Sequence, residues 1–381
     1  MIYRHLQAEL TRLIQTFPVL SITGPRQSGK TTLCRMAFPD YAYVNLEQTS
    51  VREALQRDVY AELSRYSSGV IIDEAHYLPE IFSAVKVLVD ENKSRRFVLS
   101  GSSNFLLLQN ISQSLAGRVA VLRLLPFSIK ELDAMQRPLS TDTLLLRGFF
   151  PAVWGNGQPV WNVYDSYFST YIQRDVRMIT NVSNLDTFVR FVRLCATRVG
   201  SEFNANGLAN EVGVSVKTIQ SWLGILQASY VLFTLQPYYR NVGKRLIKSP
   251  KIYFYDTGLL CYLLGLHDEQ AVANCPLRGA LFENLVIADK LKDRFNQALD
   301  NNYYFYRDKS QHEVDLIQEQ SMQLRAYEIK SATTLHSSFF SCLDYLRKVY
   351  ADSVISTQVI YDGLESLDAP FNGYTPFRQG R

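Results

Sequence analysis

Apolar and polar positions along the first third of the chain predict strands followed by helices. Four apolar runs have the length of buried strands, and they lie at 18–23, 70–72, 95–107 and 119–124. Residues 1–13 show an amphipathic helix pattern, and a helix-like segment follows the first strand and closes before Pro39. Short continuous apolar runs are typical of parallel strands covered on both faces. The pattern therefore predicts an α/β domain.

The spacing of apolar residues changes to that of helices in the middle of the chain. Residues 160–179 carry one aromatic stripe and predict a packing helix. Further on, a short helix is followed by Gly213, which permits a tight turn, and by Ser215, which caps a second helix. This is the order of a helix-turn-helix. Two strand-like runs around 241–243 then complete the pattern of a winged helix.

The last third predicts an α+β unit, with a helix over 278–295 followed by strands. In the strand "LRAYEIK", alternation directs Glu328 and Lys330 to one side and Tyr327 and Ile329 to the other. Four domains follow from these patterns. Their predicted ranges are 1–135 for the α/β domain, 136–200 for a helical linker, 201–256 for the winged helix, and 257–381 for the α+β domain.

Composition narrows the class of protein without naming a partner. The 381 residues are 47% hydrophobic and 20% charged, as expected of a globular chain, and no apolar run reaches the ~18 residues of a membrane span. Five cysteines are scattered without a C-x-x-C pair, which favours reduced thiols and a cytoplasmic location without membrane contact. Residues 181–250 hold eight basic and three acidic residues. That excess suits either a polyanion-binding surface or a solvated basic face.

One motif points to nucleotide chemistry. Residues 24–31 match G-x-x-x-x-G-K-[ST] at every fixed position, between a predicted strand and a predicted helix. Such a loop directs main-chain N–H groups at phosphates, with Lys30 reaching the β- and γ-phosphates and Thr31 ligating Mg²⁺. The predicted ATP-binding residues are Gly24, Pro25, Arg26, Gln27, Ser28, Gly29, Lys30, Thr31 and Thr32.

A second motif, "GVIIDEAHYLP", supplies acidic residues at the end of a buried strand. We expect Asp73 to hold Mg²⁺ and Glu74 to orient or deprotonate the attacking water, because ligands bind where parallel strands end. The letters "DEAH" also occur in helicases, but no second motor half is visible in the sequence. We therefore interpret His76 as a loop residue.

The strand at 95–107 is similar to the one that AAA-type ATPases place between their two phosphate motifs, carrying a polar sensor of the γ-phosphate. Ser100 and Ser102 are the candidates for that sensor. Arg118 follows a glycine turn and is predicted either to reach the γ-phosphate of a neighbouring subunit or to be structural. Ser128 and Glu131 have the spacing of a capping box at a helix start.

These segments together resemble a known family. The strings "GPRQSGKTTL", "IIDEAHYLP", "LSGSSNFLL", "LAGRVAVLRLLPFS", "GFFPAVW", "YIQRDV" and "YFYDTGLLCYLLG" occur here in order. They are similar to a widespread bacterial and archaeal family of AAA-type P-loop ATPases with a conserved C-terminal domain of unassigned function. The resemblance covers nearly the whole chain. It implies ATP binding and AAA architecture, and it implies no substrate.

The middle segment is a candidate DNA-binding surface or, equally open, a protein-docking module. Outward positions of the second helix and basic residues of the hairpin are types that contact bases and phosphates. The predicted contacts are Lys217, Thr218, Gln220, Arg240, Lys244, Arg245 and Lys248. Lys251 is expected on the outside of the same hairpin.

The C-terminal unit carries the residue pattern of a metal-dependent nuclease. Asp315 on one strand can approach Glu328 and Lys330 on the next, and Glu283 from the preceding helix completes the set. Two carboxylates and a lysine suit a Mg²⁺ ion that holds a scissile phosphate. The pattern resembles the restriction-endonuclease-like fold, and whether the site is active stays open.

Three functions remain for the whole molecule. The sequence modestly favours an ATPase, with ATP and Mg²⁺ as cofactors, that acts on or is regulated by DNA. The alternatives are an ATP-gated nuclease and a nucleotide-controlled switch that binds a protein and carries an inactive nuclease fold. A homo-oligomer is also predicted.

Overall fold

The N-terminal region folds as the predicted α/β domain. The computed structural model describes residues 2–101, 111, 114–133, 139–155, 157–171, 185–241, 243, 245 and 248–377. The strands of the first sheet are β1 (Val19–Thr23), β2 (Ala42–Asn45), β3 (Val70–Asp73), β4 (Phe97–Gly101) and β5 (Val119–Arg123). The helices around them are α1 (Leu6–Leu13), α2 (Lys30–Ala37), α3 (Thr49–Arg57), α4 (Val59–Ser64) and α5 (Glu80–Glu91).

All five strands of this sheet are parallel, in the order β2-β3-β4-β1-β5. Their carboxyl ends therefore meet at one edge, where residues 24–29 follow β1 and Glu74 follows β3. Strand β4 lies between β3 and β1, so the predicted place of the strand at 95–107 is confirmed for its described part. Apolar side chains cover both faces, which explains the unbroken apolar runs.

Short helices lead from this sheet into the middle of the chain. They are α6 (Ile129–Asp133), α7 (Thr141–Arg147), α8 (Pro151–Gly155), α9 (Val160–Tyr167), α10 (Leu185–Thr197), α11 (Ala205–Val212) and α12 (Val216–Ala228). The capping box at the start of α6 forms, because Ser128 N–H donates to Glu131 Oε2 at 2.8 Å. The helix-turn-helix is α11 and α12, with Gly213 at a φ of +80° and Ser215 Oγ accepting from Thr218 N–H.

The strands after this motif belong to a larger sheet. They are β6 (Leu232–Pro237) and β7 (Lys251–Phe254), which pair antiparallel. Strand β6 also pairs with β8 (Tyr303–Arg307) of the C-terminal unit, through Gln236 opposite Tyr304 and Pro237 opposite Phe305. The predicted wing is thus the edge of the C-terminal sheet. A strand whose second side is free bonds to another strand when one is available, and the sequence of a hairpin does not say which.

The C-terminal sheet has seven strands, in the order β12-β11-β10-β9-β8-β6-β7. Its remaining strands are β9 (Glu313–Gln320), β10 (Gln323–Lys330), β11 (Val354–Tyr361) and β12 (Gly373–Pro376). The helices of this region are α13 (Thr257–Leu263), α14 (Glu269–Ala273), α15 (Arg278–Asn296) and α16 (Ser341–Val349). Helices α15 and α16 contribute to two different apolar clusters with residues of the sheet, so this half is α+β as predicted.

Helix α15 joins the two halves of the molecule. Asp289 Oδ1 accepts from Ile129 N–H at 2.7 Å and so caps α6 from a distance, while Lys130 pairs with Asp293 at 2.8 Å. Lys292 Nζ donates to the Phe127 carbonyl at 3.1 Å. In the described parts of the chain, no helix is both long enough and apolar enough to cross a bilayer.

Candidate functional sites

The phosphate loop owes its shape to two glycines. Gly24 has a φ of +152°, and a Cβ atom there would lie 2.1 Å from the Leu124 carbonyl oxygen. Gly29, which caps the first turn of α2, has a φ of +92°. Only glycine adopts such angles readily, so the loop can curl against strand β5's end and aim its main chain at a ligand. Pro25, Arg26, Gln27 and Ser28 form the body of this loop.

Lys30 folds over the loop that precedes it. Its Nζ donates to the carbonyls of Gly24 at 2.9 Å and Pro25 at 2.8 Å. Burial lowers the pKa of Lys30 to about 8, and the charges of Glu74 and Asp73 offset part of that effect. An anion placed in the loop would raise that pKa again and stabilise the charged form of Lys30. Thr31 and Thr32 follow in the first turn of α2, at the positive end of its dipole.

Asp73 accepts hydrogen bonds from hydroxyl groups on three different elements. Its Oδ2 accepts from Thr31 at 2.7 Å and from Tyr43 at 2.8 Å, and its Oδ1 accepts from Ser100. Asp73 is buried, with 5% of its surface exposed. A carboxylate and a hydroxyl that already converge are the hard oxygen donors that Mg²⁺ prefers, so the donor set fits that ion. Tyr43, on β2, was missed in the sequence because no motif spaces it from the loop.

Glu74 lies beside this cluster in an unusual conformation. It has a φ of +54°, and the 3₁₀ turn Ala75–Tyr77 follows it. Its Oε2 lies 3.2 Å from Nδ1 of His76. His76, predicted as a loop residue, thus belongs to this 3₁₀ turn and lies beside the carboxylate that we expect to act on water. Ser100 reaches Asp73, whereas Ser102 lies outside the described residues.

Arg118 lies far from this edge of the sheet. It precedes β5, at the opposite end from the phosphate loop, and its guanidinium binds both carboxylate oxygens of Asp90 at 2.6 and 2.9 Å. That position excludes contact with a nucleotide in the same subunit and supports the structural interpretation. Its reach into a neighbouring subunit, and the homo-oligomer itself, stay predictions.

Two further residues near the loop carry no sequence signal. Arg4 is buried below the loop and donates to the Ser28 carbonyl at 2.7 Å, the Leu125 carbonyl at 2.6 Å and Glu131 Oε1 at 3.0 Å. Tyr230, which precedes β6, hydrogen-bonds Thr23 through its hydroxyl at 2.7 Å. Glu131 and Leu125 lie 127 and 121 positions from Arg4, and Thr23 lies 207 positions from Tyr230, so local patterns cannot reveal these contacts.

The second candidate site is a buried charged cluster in the C-terminal half. Lys330 Nζ lies 2.6 Å from Glu328 Oε1 and 3.6 Å from Asp315 Oδ2, and the same Asp315 oxygen accepts from Ile329 N–H at 2.7 Å. Burial, followed by the negative charge of Asp315, raises the pKa of Glu328. The pKa of Glu283 is raised for the same two reasons. The four predicted residues therefore share one environment.

Strand β7 adds two residues that the sequence did not assign to this cluster. Lys251 Nζ lies 2.6 Å from Glu313 and 3.4 Å from Glu283, and the Tyr253 hydroxyl donates to Glu283. Lys251 was expected on the outside of the hairpin, but only 3% of its surface is exposed. Among the described residues, no three acidic, histidine or cysteine side chains stand together as a ready set of metal ligands.

The predicted DNA contacts divide into exposed and buried residues. Lys217 and Gln220 are exposed on α12, Thr218 is half-buried, Arg240 and Lys248 are exposed, and Lys244 lies outside the described residues. Arg245 as a DNA contact is wrong: it is 8% exposed and binds Glu319 through two hydrogen bonds of 2.6 and 3.0 Å. Arg245 also donates to the Tyr239 carbonyl, so its guanidinium is enclosed by partners within the protein and does not face a phosphate in solution.

The sequence of this chain is similar to those of known proteins. The uncharacterized protein Rv2008c of Mycobacterium tuberculosis is 32% identical over 337 residues, which is 87% of this chain and 74% of the relative. The chain belongs to its family. An AAA domain matches residues 16–133, and two domains of unknown function, DUF8612 and DUF4143, match 139–270 and 278–377. The family is therefore that of bacterial and archaeal AAA-type P-loop ATPases with a C-terminal domain of unknown function, as the resemblance implied.

A second mycobacterial protein and a solved structure are also similar to this AAA-type ATPase. The uncharacterized protein Mb2031c of Mycobacterium bovis has the same identity and coverage as Rv2008c. A solved structure, the Walker-type ATPase PABY2304 of Pyrococcus abyssi, is 14% identical and covers 68% of this chain and 94% of its own, with a TM-score of 0.47.

Proposed function

We propose that this AAA-type ATPase binds ATP with Mg²⁺ between Lys30 and Asp73 and hydrolyses it with Glu74 as the base. The observation that carries the proposal is the 2.7 Å hydrogen bond between Thr31 and Asp73, beside a lysine held over the phosphate loop. These residues come from two separate motifs and meet at one edge of the sheet. The α/β fold by itself does not require Thr31 and Asp73 to contact each other.

Each residue then has a distinct task. Lys30 leaves the carbonyls of Gly24 and Pro25 and donates to phosphate oxygens instead. The main-chain N–H groups of the loop donate to the other phosphate oxygens. Thr31 and Asp73 would hold Mg²⁺, which supplies positive charge to the phosphates. Glu74, which follows β3 beside His76, accepts the proton of the attacking water.

Two substitutions separate binding from turnover. Lys30→Ala should abolish ATP binding, whereas Glu74→Gln should bind ATP and lose hydrolysis by about 100-fold or more. Binding of a fluorescent ATP analogue and release of phosphate measure the two steps. Glu80→Gln, which changes an exposed carboxylate on α5, is the matched control and should leave both unchanged. Normal hydrolysis in both site variants would refute the assignment.

We further propose that DNA is the polyanion that regulates this ATPase, and that α12 contacts it. The exposed stripe of α12 contains Lys217, Gln220, Ser221 and Gly224, and a Cβ atom on Gly224 would meet nothing. Glycine inside a helix costs about 1 kcal/mol relative to alanine, so an exposed glycine there suits close approach of another backbone.

Salt dependence and ATPase rate test the DNA proposal together. DNA should stimulate hydrolysis, and log affinity should fall with log salt concentration by about 0.9 per phosphate contact. Lys217→Ala should reduce the steepness of that slope by about 0.9, the value of one contact. Lys309→Ala, which changes an exposed lysine elsewhere, should not. A flat salt response without stimulation would favour the protein-binding switch instead.

Metal-dependent cleavage of nucleic acid is the second candidate function, at the C-terminal cluster. The specific observation in its favour is Glu328, whose Oε2 is buried without a hydrogen-bond partner beside Lys330. A buried carboxylate oxygen without a partner is costly, and a cation would satisfy it. We expect cleavage of DNA with Mg²⁺ or Mn²⁺, lost in Asp315→Ala. Cleavage that survives the substitution would indicate a contaminating nuclease.

A further inference from the structure

Strand β7, which precedes the C-terminal unit in the chain, completes the charged cluster of that unit with a lysine and a tyrosine. Lys251, on β7, is 3% exposed and lies between two carboxylates, 2.6 Å from Glu313 Oε1 and 3.4 Å from Glu283 Oε1. Its neighbour Tyr253 donates to the same oxygen of Glu283. An ammonium ion this deeply buried is held in place by its partners.

The opposite side of the cluster differs in how its charges are satisfied. Lys330 lies closer to Glu328 than to Asp315, at 2.6 and 3.6 Å, and a third of its side chain is exposed. Glu328 is 7% exposed, and its Oε2 has no hydrogen-bond partner. The Glu283 side has a cation enclosed in it, and the Glu328 side has an unsatisfied anionic oxygen.

The charges of the cluster do not balance. Its four carboxylates are Glu283, Glu313, Asp315 and Glu328, and its enclosed or adjacent ammonium groups are those of Lys251 and Lys330. Arg307, at the rim of the cluster, lies 3.5 Å from Glu313 and 3.1 Å from Glu202. The opposite charges of Arg307 and Glu202 cancel, so neither changes the net charge of the cluster. With all four carboxylates ionised, two negative charges are left over. Uncompensated charges are expensive to bury, and one divalent cation would balance these two.

We propose that Lys251 is a built-in cation that limits this cluster to one divalent metal ion, a hard cation such as Mg²⁺ or Mn²⁺. The ion is held by Asp315 and Glu328, while Lys251 fills the position beside Glu283 and Glu313 where a second ion would otherwise be attracted. The proposal rests on the proposed metal-dependent function of the cluster. It makes Lys251 a positioning residue, contributed from outside the segment 278–377 that the C-terminal family model covers.

Counting bound Mn²⁺ on the full chain without nucleotide tests the proposal. Electron paramagnetic resonance and calorimetry should find one ion that depends on the cluster, with affinity weakened about tenfold or more in Glu328→Gln. Glu283→Gln should leave that ion in place. Lys251→Arg, which keeps the charge, should still bind one ion. Lys251→Met should admit a second ion, and adding Glu283→Gln to it should remove the second ion again.

One control variant and three contrary results complete the test of Lys251. Lys248→Met, an exposed lysine three positions earlier, should leave the count at one. A wild-type cluster that binds two ions, one lost in Glu328→Gln and one in Glu283→Gln, would overturn the role of Lys251 even if Lys251→Met fails to fold. A Lys251→Met variant that folds and still binds one ion would do the same, while the metal site itself stands. A wild-type count unaffected by Glu328→Gln would refute both the site and the inference.

Discussion

Arg4 carries a buried positive charge on which the phosphate loop depends. Glu131, its ion-pair partner, is fully buried, and Arg4 also donates to the Ser28 carbonyl inside the loop. Removing one partner of a buried ion pair costs about 3–5 kcal/mol, because the other charge stays buried. Arg4→Met should lower the free energy of unfolding by about 3 kcal/mol, since main-chain N–H groups still reach Glu131. Urea denaturation measures it, and ATP affinity should fall as well.

The control at this scale is Arg12→Met, a few residues along the same segment. Arg12 pairs with Glu9 on the surface of α1, with 64% of its side chain exposed. Exposed pairs of this kind contribute about 0.5 kcal/mol or less. Equal losses of stability in the two variants would contradict the importance of burial.

Helix α15 contains a lysine whose burial should make stability depend on pH. Lys292 is 2% exposed and lies 3.8 Å from the centre of the Phe149 ring. Burial lowers the pKa of Lys292 from 10.5 to about 8, although the charges of Asp256 and Asp289 oppose the shift. Between these two pH values the unfolded chain binds more protons than the folded one, so stability rises with pH. Wild type should therefore gain up to about 3 kcal/mol relative to Lys292→Met between pH 8 and 10.5.

Denaturant unfolding at pH 7.5 and pH 10 gives this difference directly. The exposed Lys93 on the N-terminal domain provides the control. Stability of Lys93→Met should follow that of wild type across the same range. Parallel curves for wild type and Lys292→Met would mean that burial does not lower the pKa of Lys292 in the folded protein.

Elements were predictable where the cause of their structure is local. The loop at 24–31 needs only its own glycines and the adjoining strand and helix, and the α11–α12 turn needs only Gly213 and Ser215, so the sequence predicted both. The hairpin was misplaced because alternation within β6 does not say which strand occupies its other side. Lys251 was misplaced for the same reason, since its carboxylate partners come from α15 and β9, 32 and 62 positions later. Charged side chains are mostly exposed, and the exception depends on distant partners.

At the scale of the whole molecule, one large apolar core extends over most of the chain after the first sheet, and a smaller one lies on the other face of the C-terminal sheet. The large core extends from Leu125 to Phe377 and includes the helix-turn-helix and one face of the C-terminal sheet. Trp222 lies in this core, and Trp154 and Trp161 pack against it. The first sheet has separate cores, but buried contacts of Thr23 with Tyr230 and of Arg4 with Glu131 tie its domain to the large core. Helix α6, which contains Glu131, is bound in turn to α15 through Ile129 and Asp289.

Those ties predict that nucleotide stabilises the distant core as well as the first sheet. At an ATP concentration 100 times its dissociation constant, a protein gains about 2.7 kcal/mol of stability if it unfolds as one unit. All three tryptophans lie in or against the large core, so their fluorescence reports that core alone. With Glu74→Gln to prevent turnover, ATP with Mg²⁺ should move the tryptophan transition as far as the one seen by circular dichroism. In Lys30→Ala, the same addition of ATP with Mg²⁺ should shift neither transition. A nucleotide shift seen by circular dichroism alone would mean that the first sheet unfolds independently, and that the contacts of Tyr230 and Asp289 do not couple the halves.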